Sequence, residues 1–189
     1  SLAAAPAFAG LEAETESFAR DMSYLVDSST AEVYIGPVLF EGQASAEFLN
    51  QLFVGNISSP RTPWADREDW TRYYVFSGGL VKKLNMRVFP VFMSVLDNPL
   101  EAGYKGVQLN GGYLIDNEGV RPAPLELVKN GKLVNFYMSR APVKEFRNSN
   151  GHARAYWSEF PSPRPGNVFF SAQPEKRVSP AELKKKLFQ

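Results

Sequence analysis

Few side chains in this sequence could carry acid–base or nucleophilic chemistry. His152 is the only histidine, so a Ser-His-Asp arrangement or a histidine-based zinc site would have to include it. Because His152 follows the pair Asn150-Gly151, its position is also typical of a turn residue. The chain contains no cysteine, so it offers neither a disulfide nor a thiolate ligand for zinc.

Three acidic residues could form the paired carboxylates that general acid–base catalysis uses. Asp97 begins the sequence Asp-Asn-Pro, whereas Asp116 and Glu118 lie in Asp-Asn-Glu-Gly. Both sequences are also typical of turns, because an aspartate side chain accepts hydrogen bonds from the backbone that follows it. We therefore assign no catalytic, cofactor-binding or metal-ligating residue, and no cofactor, from the sequence.

An amphipathic helix is predicted at about residues 43–54. Ala44, Phe48 and Leu52 recur every four residues, which places them on one face of a helix. Gly55 follows this run, and a glycine that can adopt a positive φ is a common helix end. The polar residues of the run fall on the opposite face, where solvent is expected.

The segment GPVLFEGQASAEFLNQLF, which includes this helix, resembles part of the TldD/PmbA family of metallopeptidase-like proteins. In the catalytic branch of that family, this part leads through a small-residue helix into His-Glu-x-x-x-His. Five later blocks also resemble family blocks in the family's order, and the resemblance runs from about residue 33 to the end. These blocks begin at Ser94, Gly112, Leu127, Ser149 and Arg164.

The resemblance fails where zinc should bind. Asn50, Gln51 and Gly55, which we call the motif positions, stand where the family has its zinc motif. A carboxamide cannot replace an imidazole ligand or a general base, and glycine has no side chain to offer. On an ideal helix, positions 50 and 55 would also lie about 140° apart. Restoring His, Glu and His at these positions is therefore predicted to give at most weak zinc binding.

The predicted fold class is α+β, with a mostly antiparallel sheet, a packed helix at about 43–54 and short terminal helices. The resemblance implies the C-terminal-type domain of the TldD/PmbA family. The clearest hairpin signal is Asn130-Gly131 between two alternating runs, because a type I′ turn requires positive φ at both central residues. A two-residue turn pairs Leu127 with Val134 and Leu125 with Phe136.

Two proline-containing runs are predicted to be strands that bend or form a free edge. Pro37 interrupts the apolar run 33–40, and Pro90 interrupts the alternating run 85–95. Proline has no N–H to donate to a central ladder, so both runs fit the edge of a sheet, and the run 85–95 could instead form two short strands. A third strand is predicted at residues 73–76.

The chain divides into an N-terminal helical segment at 1–32 and a single β-rich domain at 33–189. In the N-terminal segment, residues 10–26 have helical periodicity. Near the end of the second part, Ser179 to Glu182 form a predicted capping box, which marks the start of a helix. Family members extend further on both sides of the matched part. We therefore interpret the chain as an excised segment of a longer protein.

Composition excludes several classes of function for these 189 residues. The net charge of +1 disfavours a dedicated nucleic-acid binder, which needs a basic surface. No run of about 18 apolar residues is present, so no membrane span is expected. The resemblance implies a cytoplasmic protein of bacterial type.

Two functions remain open. By resemblance, the chain is a non-catalytic or metal-free member that processes or degrades peptides as a homodimer or as a heterodimer with a catalytic family member. The family also carries an older label as modulators of DNA gyrase. The alternative is a peptide-binding or structural module without a peptidase role, which receives an extended segment at a strand edge near Pro37 or Pro90.

Overall fold

The structure is a computed structural model that describes residues 8–30, 33–59, 78–156 and 160–188. Contacts divide the chain into two compact units, Ser1–Val38 and Leu39–Gln189. The first unit contains helix α1, Phe8–Val26, which confirms the helix predicted at 10–26. None of the helices in the described ranges is long and apolar enough to cross a membrane.

A four-stranded antiparallel sheet forms the centre of the second unit. Its strands are β1 (Met93–Asp97), β4 (Leu125–Lys129), β5 (Lys132–Leu133) and β8 (Val168–Ala172), in the order β5-β4-β1-β8. Two short antiparallel ribbons accompany it: β2 (Gly103–Tyr104) with β3 (Val107–Gln108), and β6 (Ala153–Arg154) with β7 (Ser162–Pro163). The predicted α+β fold with an antiparallel sheet is confirmed.

The core of the second unit is apolar and lies against this sheet. Burying a large apolar side chain stabilises a fold by about 1.5–3 kcal/mol, so the buried residues dominate its stability. The large core residues with no exposed surface are Ile57, Leu127, Val128, Leu133, Phe136 and Tyr137. Leu127 and Val128 are neighbours on β4, so both faces of the sheet are covered at that strand.

Along the chain, one helix of the second unit precedes the strands of this sheet and another follows them. Helix α2 spans Gly42–Leu52, close to the prediction of 43–54. Helix α3 spans Pro180–Leu187 and begins with the predicted capping box, in which the Ser179 hydroxyl accepts from the Glu182 N–H and the Glu182 carboxylate accepts from the Ser179 N–H. Lys184 of α3 forms an ion pair with Glu41, just before α2, at 3.1 Å.

The strand predicted at residues 33–40 is wrong. This run forms no strand, and the side chains of Val33 and Ile35 are 94% and 95% exposed. A β-branched apolar run becomes a strand only when a neighbouring strand accepts its backbone bonds, and Gly36-Pro37 interrupts the donors of this one. The strand predicted at residues 73–76 lies outside the described residues.

Residues 85–95 form two short stretches, which is one of the two predicted alternatives: Arg87 makes an antiparallel bridge with Lys132 of β5, and β1 follows Pro90. Strand β1 begins at Met93, after Pro90 has accepted a turn hydrogen bond from the Met93 N–H. Because β1 lies between β4 and β8, it is a central strand and not a free edge. Residues 85–88, just before Pro90, pair with β5 at the edge of the sheet, whereas no strand edge forms around Pro37 in the described residues 33–40.

The β4–β5 hairpin forms in the predicted register. Asn130 and Gly131 have φ of 48° and 79°, and Lys129 pairs with Lys132. The Val134 N–H donates to the Leu127 carbonyl at 2.9 Å, which confirms that these residues face each other. The ladder ends there, because the Asn135 N–H also donates to Leu127, so the predicted Leu125–Phe136 pair is absent.

We expect Gly131→Ala to lower the free energy of unfolding by about 3 kcal/mol, through backbone strain plus a steric clash. A Cβ at residue 131 would strike the Phe89 carbonyl and lie 2.7 Å from the Pro90 carbonyl. Gly106→Ala is the matched control, since Gly106 has φ of 82° in the β2–β3 turn and nothing within 4 Å of a Cβ. This control should lose only about 1 kcal/mol. Equal losses in urea denaturation would show that the clash is relieved without cost.

Candidate functional site

Helix α2 carries the first two motif positions on its solvent side. Asn50 and Gln51 are both exposed, as predicted for the polar face. The Gln51 amide donates to the Glu47 carboxylate one turn earlier at 2.7 Å. Such a pair of residues four apart stabilises an exposed helix by about 0.2–0.5 kcal/mol. The two side chains therefore have an ordinary role in a solvated helix.

The third motif position does not end the helix in the predicted way. Gly55 is not among the glycines with positive φ, and it lies in a 3₁₀ turn, Val54–Asn56. The Asn56 amide instead donates to the carbonyls of Gln51 and Leu52 at 2.8 and 3.1 Å. A side-chain donor thus satisfies the last carbonyls of the helix, so no left-handed glycine is needed. The predicted positive φ at Gly55 is wrong.

The end of α2 also changes the geometry of the motif positions. Because α2 stops at Leu52, the angle of an ideal helix does not apply between positions 50 and 55. A Cβ at residue 55 would lie 3.5 Å from the Asn50 carbonyl oxygen, in ordinary contact. This contact involves the backbone of residue 50 and not its side chain. Because the helix ends between the two positions, the break that a shared zinc ligand would require is present, and the weak zinc binding of a restored motif stays a prediction.

The donor set at the motif positions does not fit zinc. Two neutral carboxamides and a hydrogen stand where a zinc site would need imidazoles, carboxylates or thiolates. Across the described ranges, no group of three or more His, Cys, Asp and Glu side chains could hold a metal ion. We derive no reaction step through a metal at this helix.

An open apolar groove of about 430 Å³ runs along the other side of α2. Phe48 and Leu52 of the helix line it together with Met86, and their exposed fractions are 39%, 59% and 53%. Lys83 and Arg87 add positive charge to the lining. No residue of α2 itself is buried, so the predicted apolar face of this helix borders a groove.

The aromatic ring of Phe53 attaches the end of α2 to the core. Phe53 is 2% exposed, and its ring makes edge contacts with Phe89 at 4.9 Å and with Phe170 of β8 at 6.0 Å between centroids. Edge-to-face aromatic contacts add about 0.5–1.5 kcal/mol beyond the burial of their area. This cluster therefore determines where the motif positions sit above the sheet.

Away from α2, Asp97, Tyr137 and His152 form a second polar group, which we call the buried cluster. Asp97 and His152 have no exposed surface, and Tyr137 has none either. The Nε2 atom of His152 lies 3.7 Å from Oδ1 of Asp97, and the rings of His152 and Tyr137 are 5.3 Å apart. The local sequence gave no signal for this pairing, because its members lie in distant parts of the chain.

The buried cluster cannot serve as an active site in this conformation. No substrate atom could reach His152 when its side chain has no exposed surface. Its Nδ1 atom is 2.9 Å from the Asn150 carbonyl, so the residue is a core histidine after a turn with Gly151 at φ 74°. The structure supports the turn interpretation and adds complete burial to it.

The three candidate carboxylates have separate structural partners. The Asp97 carboxylate accepts from the Gly166 N–H at 2.8 Å. Asp116 accepts from the N–H groups of Glu118, Val120 and Ala153 at 2.9, 2.8 and 3.1 Å. Glu118 accepts from the Arg140 N–H. Each carboxylate therefore orders its own loop, in agreement with the turn interpretation.

Two tyrosines near Asp97, Tyr113 and Tyr137, have a raised pKa. Burial raises the pKa of Tyr137 well above its usual value of 10.0, and the nearby Asp97 carboxylate raises it further. Burial also raises the pKa of Tyr113, with Asp97 acting in the same direction and Arg154, over the Tyr113 ring, acting against it. Both phenols therefore stay neutral in the folded domain at physiological pH.

We expect the free energy of unfolding to fall as pH rises above about 10. The unfolded chain then releases a phenolic proton that folded Tyr137 retains, which costs about 1.4 kcal/mol per pH unit. Tyr137→Phe should remove this contribution, whereas Tyr24→Phe, at a side chain that is 75% exposed, serves as the control. Urea denaturation between about pH 9 and pH 11.5 measures the slopes. An unchanged slope in Tyr137→Phe would contradict the assignment.

The fold and the motif positions together define an α+β domain whose surface helix lacks the donors of a zinc peptidase. The sequence model described as PmbA/TldA metallopeptidase C-terminal domain matches residues 33–187, and the chain belongs to this family. The resemblance read from the sequence blocks is thereby confirmed. No protein of curated function matches the chain.

A solved structure shares the fold. The putative modulator of a DNA gyrase from Thermotoga maritima is similar with a TM-score of 0.51 and 21% identity, over 74% of this chain and 27% of that one. TldE from Thermococcus kodakarensis has a TM-score of 0.46 and 17% identity, over 57% of this chain and 23% of that one. The chain thus spans about a quarter of these relatives, at 27% and 23% of their lengths.

Proposed function

We propose that this domain belongs to a non-catalytic, metal-free member of the TldD/PmbA family that assists peptide processing or degradation. One observation carries the proposal: α2 is kept in place by Phe53 and Asn56, yet its motif positions hold no zinc donors. A helix retained in shape without its ligands fits a subunit that supports catalysis by another protein.

The partner that fits this role is a family member with an intact His-Glu-x-x-x-His motif. It would supply the zinc chemistry, while this chain would contribute surface and positioning as the other half of a heterodimer. A homodimer without catalytic activity is the second assembly that we consider. The cytoplasm, where small or unfolded peptides accumulate, is the compartment that we propose by family membership.

Zinc binding and partner identity test the proposal together. We expect the purified chain to bind no stoichiometric zinc in calorimetry, and we expect the full-length native protein to co-purify with a His-Glu-x-x-x-His protein identified by mass spectrometry. Stoichiometric zinc that is lost on replacing residues of α2 would refute the metal-free assignment. Recovery of the full-length protein alone would refute the heterodimer and leave the homodimer.

Restoring the motif tests whether the chain lacks only the zinc ligands or also the surrounding structure that would hold them. We expect the triple variant Asn50→His, Gln51→Glu, Gly55→His to bind zinc no more tightly than about 1 μM, because it supplies only two imidazoles and the chain has no cysteine. Since Gly55 lacks a positive φ, its replacement by histidine is not expected to strain the backbone. Zinc affinity tighter than micromolar, measured by calorimetry with peptide cleavage alongside, would show that the scaffold is otherwise complete.

A free sheet edge on β8 supports the second candidate, a peptide-binding module. Two backbone hydrogen bonds flank β8: the Asn98 N–H donates to the Asn167 carbonyl, and the Gln173 N–H donates to the Phe92 carbonyl. Because hydrogen-bonded pairs alternate along an antiparallel ladder, the backbone groups of the odd-numbered residues of β8 face β1. The backbone groups of Val168 and Phe170 therefore face away, and no described residue pairs with them. An extended peptide could add here as a strand.

Replacing Val168, whose backbone N–H faces away from β1, by proline tests whether a peptide strand adds to β8. Val168→Pro removes an outward N–H without breaking a bond to β1, so the fold should survive. If peptides bind this edge, their affinity should fall at least about tenfold, since the removed N–H and the added ring disturb one ladder position. Unchanged affinity in this folded variant would exclude β8 as the binding edge and leave the first function.

A further inference from the structure

The two edges of the central sheet are closed to different degrees. At the β5 edge, residues 85–88 continue the ladder through a bridge between Arg87 and Lys132. At the β8 edge, the N–H and C=O groups of Val168 and Phe170 point away from β1, and no described residue pairs with them. In the part of the chain that the structure describes, one edge is therefore covered and a short stretch of the other is open.

This open stretch lacks the features that normally keep sheet edges apart. Natural edge strands carry charged side chains, proline or a bulge at their exposed positions. Strand β8 contains no charged residue and no proline, and it pairs with β1 in unbroken register. An edge without these features is a ready site for another strand.

Both ends of the open stretch are occupied by bonds within the chain. At one end, the Arg177 side chain donates to the Ala172 carbonyl at 2.7 Å. At the other end, the Gly166 N–H donates to the Asp97 carboxylate at 2.8 Å. An added strand can therefore form complete ladder pairs, with both N–H and C=O free, only at the two outward residues between these ends.

The open stretch is complementary to itself. When two β8 strands meet antiparallel about a two-fold axis at Phe169, Val168 of each copy lies opposite Phe170 of the other. Each of these pairs exchanges two backbone hydrogen bonds, so every outward group of both residues is paired. The two Phe169 side chains then meet at the axis, beside the Tyr104 rings that they contact at 5.4 Å between centroids.

The charges beside the stretch also complement each other in this arrangement. Arg177 lies at the Ala172 end of β8. Glu101 lies at the opposite end, where its carbonyl accepts from the Asn167 amide at 2.9 Å. Because the strands are antiparallel, the pairing brings Arg177 of each copy toward Glu101 of the other. No like charges meet within β8, where they would destabilise a ladder.

We propose that β8 is the surface through which two copies of this chain pair, with Phe169 at the two-fold axis, so that their central sheets join into one continuous sheet. This inference deepens the homodimer considered above and rests on that assembly. The dimer is weak, because so short a stretch covers much less than the roughly 800 Å² per partner of a standard interface. We expect a dissociation constant on the order of 0.1 to 1 mM.

A single engineered cysteine tests the register. The chain has no cysteine, so Phe169→Cys introduces the only thiol. In the proposed dimer, the two Cα atoms of residue 169 lie about 4.5 Å apart, within the range of a disulfide. Ser171→Cys is the matched control on the same face of β8, because its two copies would lie at least about 13 Å apart.

Oxidised glutathione supplies the oxidant for this comparison, since it takes up the two electrons and two protons released and becomes two molecules of reduced glutathione. We expect Phe169→Cys to form the covalent dimer at least about tenfold faster than Ser171→Cys. Equal rates in the two folded variants would overturn the proposal.

Sedimentation of the wild-type chain tests the pairing without a substitution at the edge. We expect a monomer–dimer equilibrium, and Val168→Pro should raise its dissociation constant at least about tenfold, because it removes two of the four bonds across the axis. A wild-type chain that stays monomeric at about 1 mM would overturn the proposal but not the metal-free assignment, which zinc binding tests. A monomeric chain that binds an extended peptide at β8 would assign this edge to the second candidate function instead.

Discussion

Asp116→Ala is expected to lower the free energy of unfolding by about 4 kcal/mol, because three backbone N–H groups would lose a charged acceptor together. Asp116 is 5% exposed, and its oxygens accept from Glu118, Val120 and Ala153. The last of these bonds connects the 116–120 turn to the start of β6, so its loss should also loosen residues near His152. Urea denaturation at neutral pH measures the effect.

Asp116→Asn is the matched control for this loss. Its remaining carbonyl oxygen can keep the bonds to Glu118 and Val120, whereas its amide nitrogen would face the Ala153 N–H. We expect it to lose about 2 kcal/mol, roughly half of the alanine effect. If both variants lost less than about 1 kcal/mol, water would replace the carboxylate without penalty, and the structural role assigned to Asp116 would be wrong.

Phe53→Ala should lower the free energy of unfolding by about 4 kcal/mol, within the range for truncating a buried phenylalanine. The ring fills the space between Phe89 and Phe170, and its removal leaves a cavity where α2 meets the core. Local hydrogen exchange in α2 should rise together with the global loss. Phe53 is thus predicted to hold the motif positions as well as the core.

Phe48→Ala, in α2 itself, is the control for Phe53→Ala, because it removes the same ring from a more exposed position. Its side chain is 39% exposed and stacks on Phe40, with the centroids 4.1 Å apart, at the groove. A loss of about 1 kcal/mol is expected, since less area leaves water and no closed cavity forms. Similar losses at both positions would mean that the groove is closed in solution.

Local signals in the sequence predicted the local features of the fold. Asn130-Gly131 specified its turn because both residues need positive φ, and Ser179 with Glu182 specified the start of α3. The helix at 43–54 was visible in its four-residue period. Each of these signals lies within a few residues of the structure it predicts, so no knowledge of distant partners was needed.

Features that depend on distant partners could not be predicted. Residues 33–40 have strand-like composition, but composition does not show whether another strand is available to pair with them. The end of α2 was assigned to Gly55 because glycine often ends helices, whereas the Asn56 side chain satisfies the carbonyls. The contact between Asp97 and His152 joins two segments that are distant in the chain, which no spacing in the sequence reveals.

The short free edge of β8 has a consequence for how the domain behaves when concentrated. Val168–Ala172 contains no charged residue, and uncharged apolar edges are templates for chains to associate into cross-β aggregates. Arg177 donates to the Ala172 carbonyl at 2.7 Å and so blocks one end of the edge. Among the residues that the structure describes, no strand pairs with the outward backbone groups of Val168 and Phe170, and so short a template favours reversible pairing of molecules over growth of fibrils.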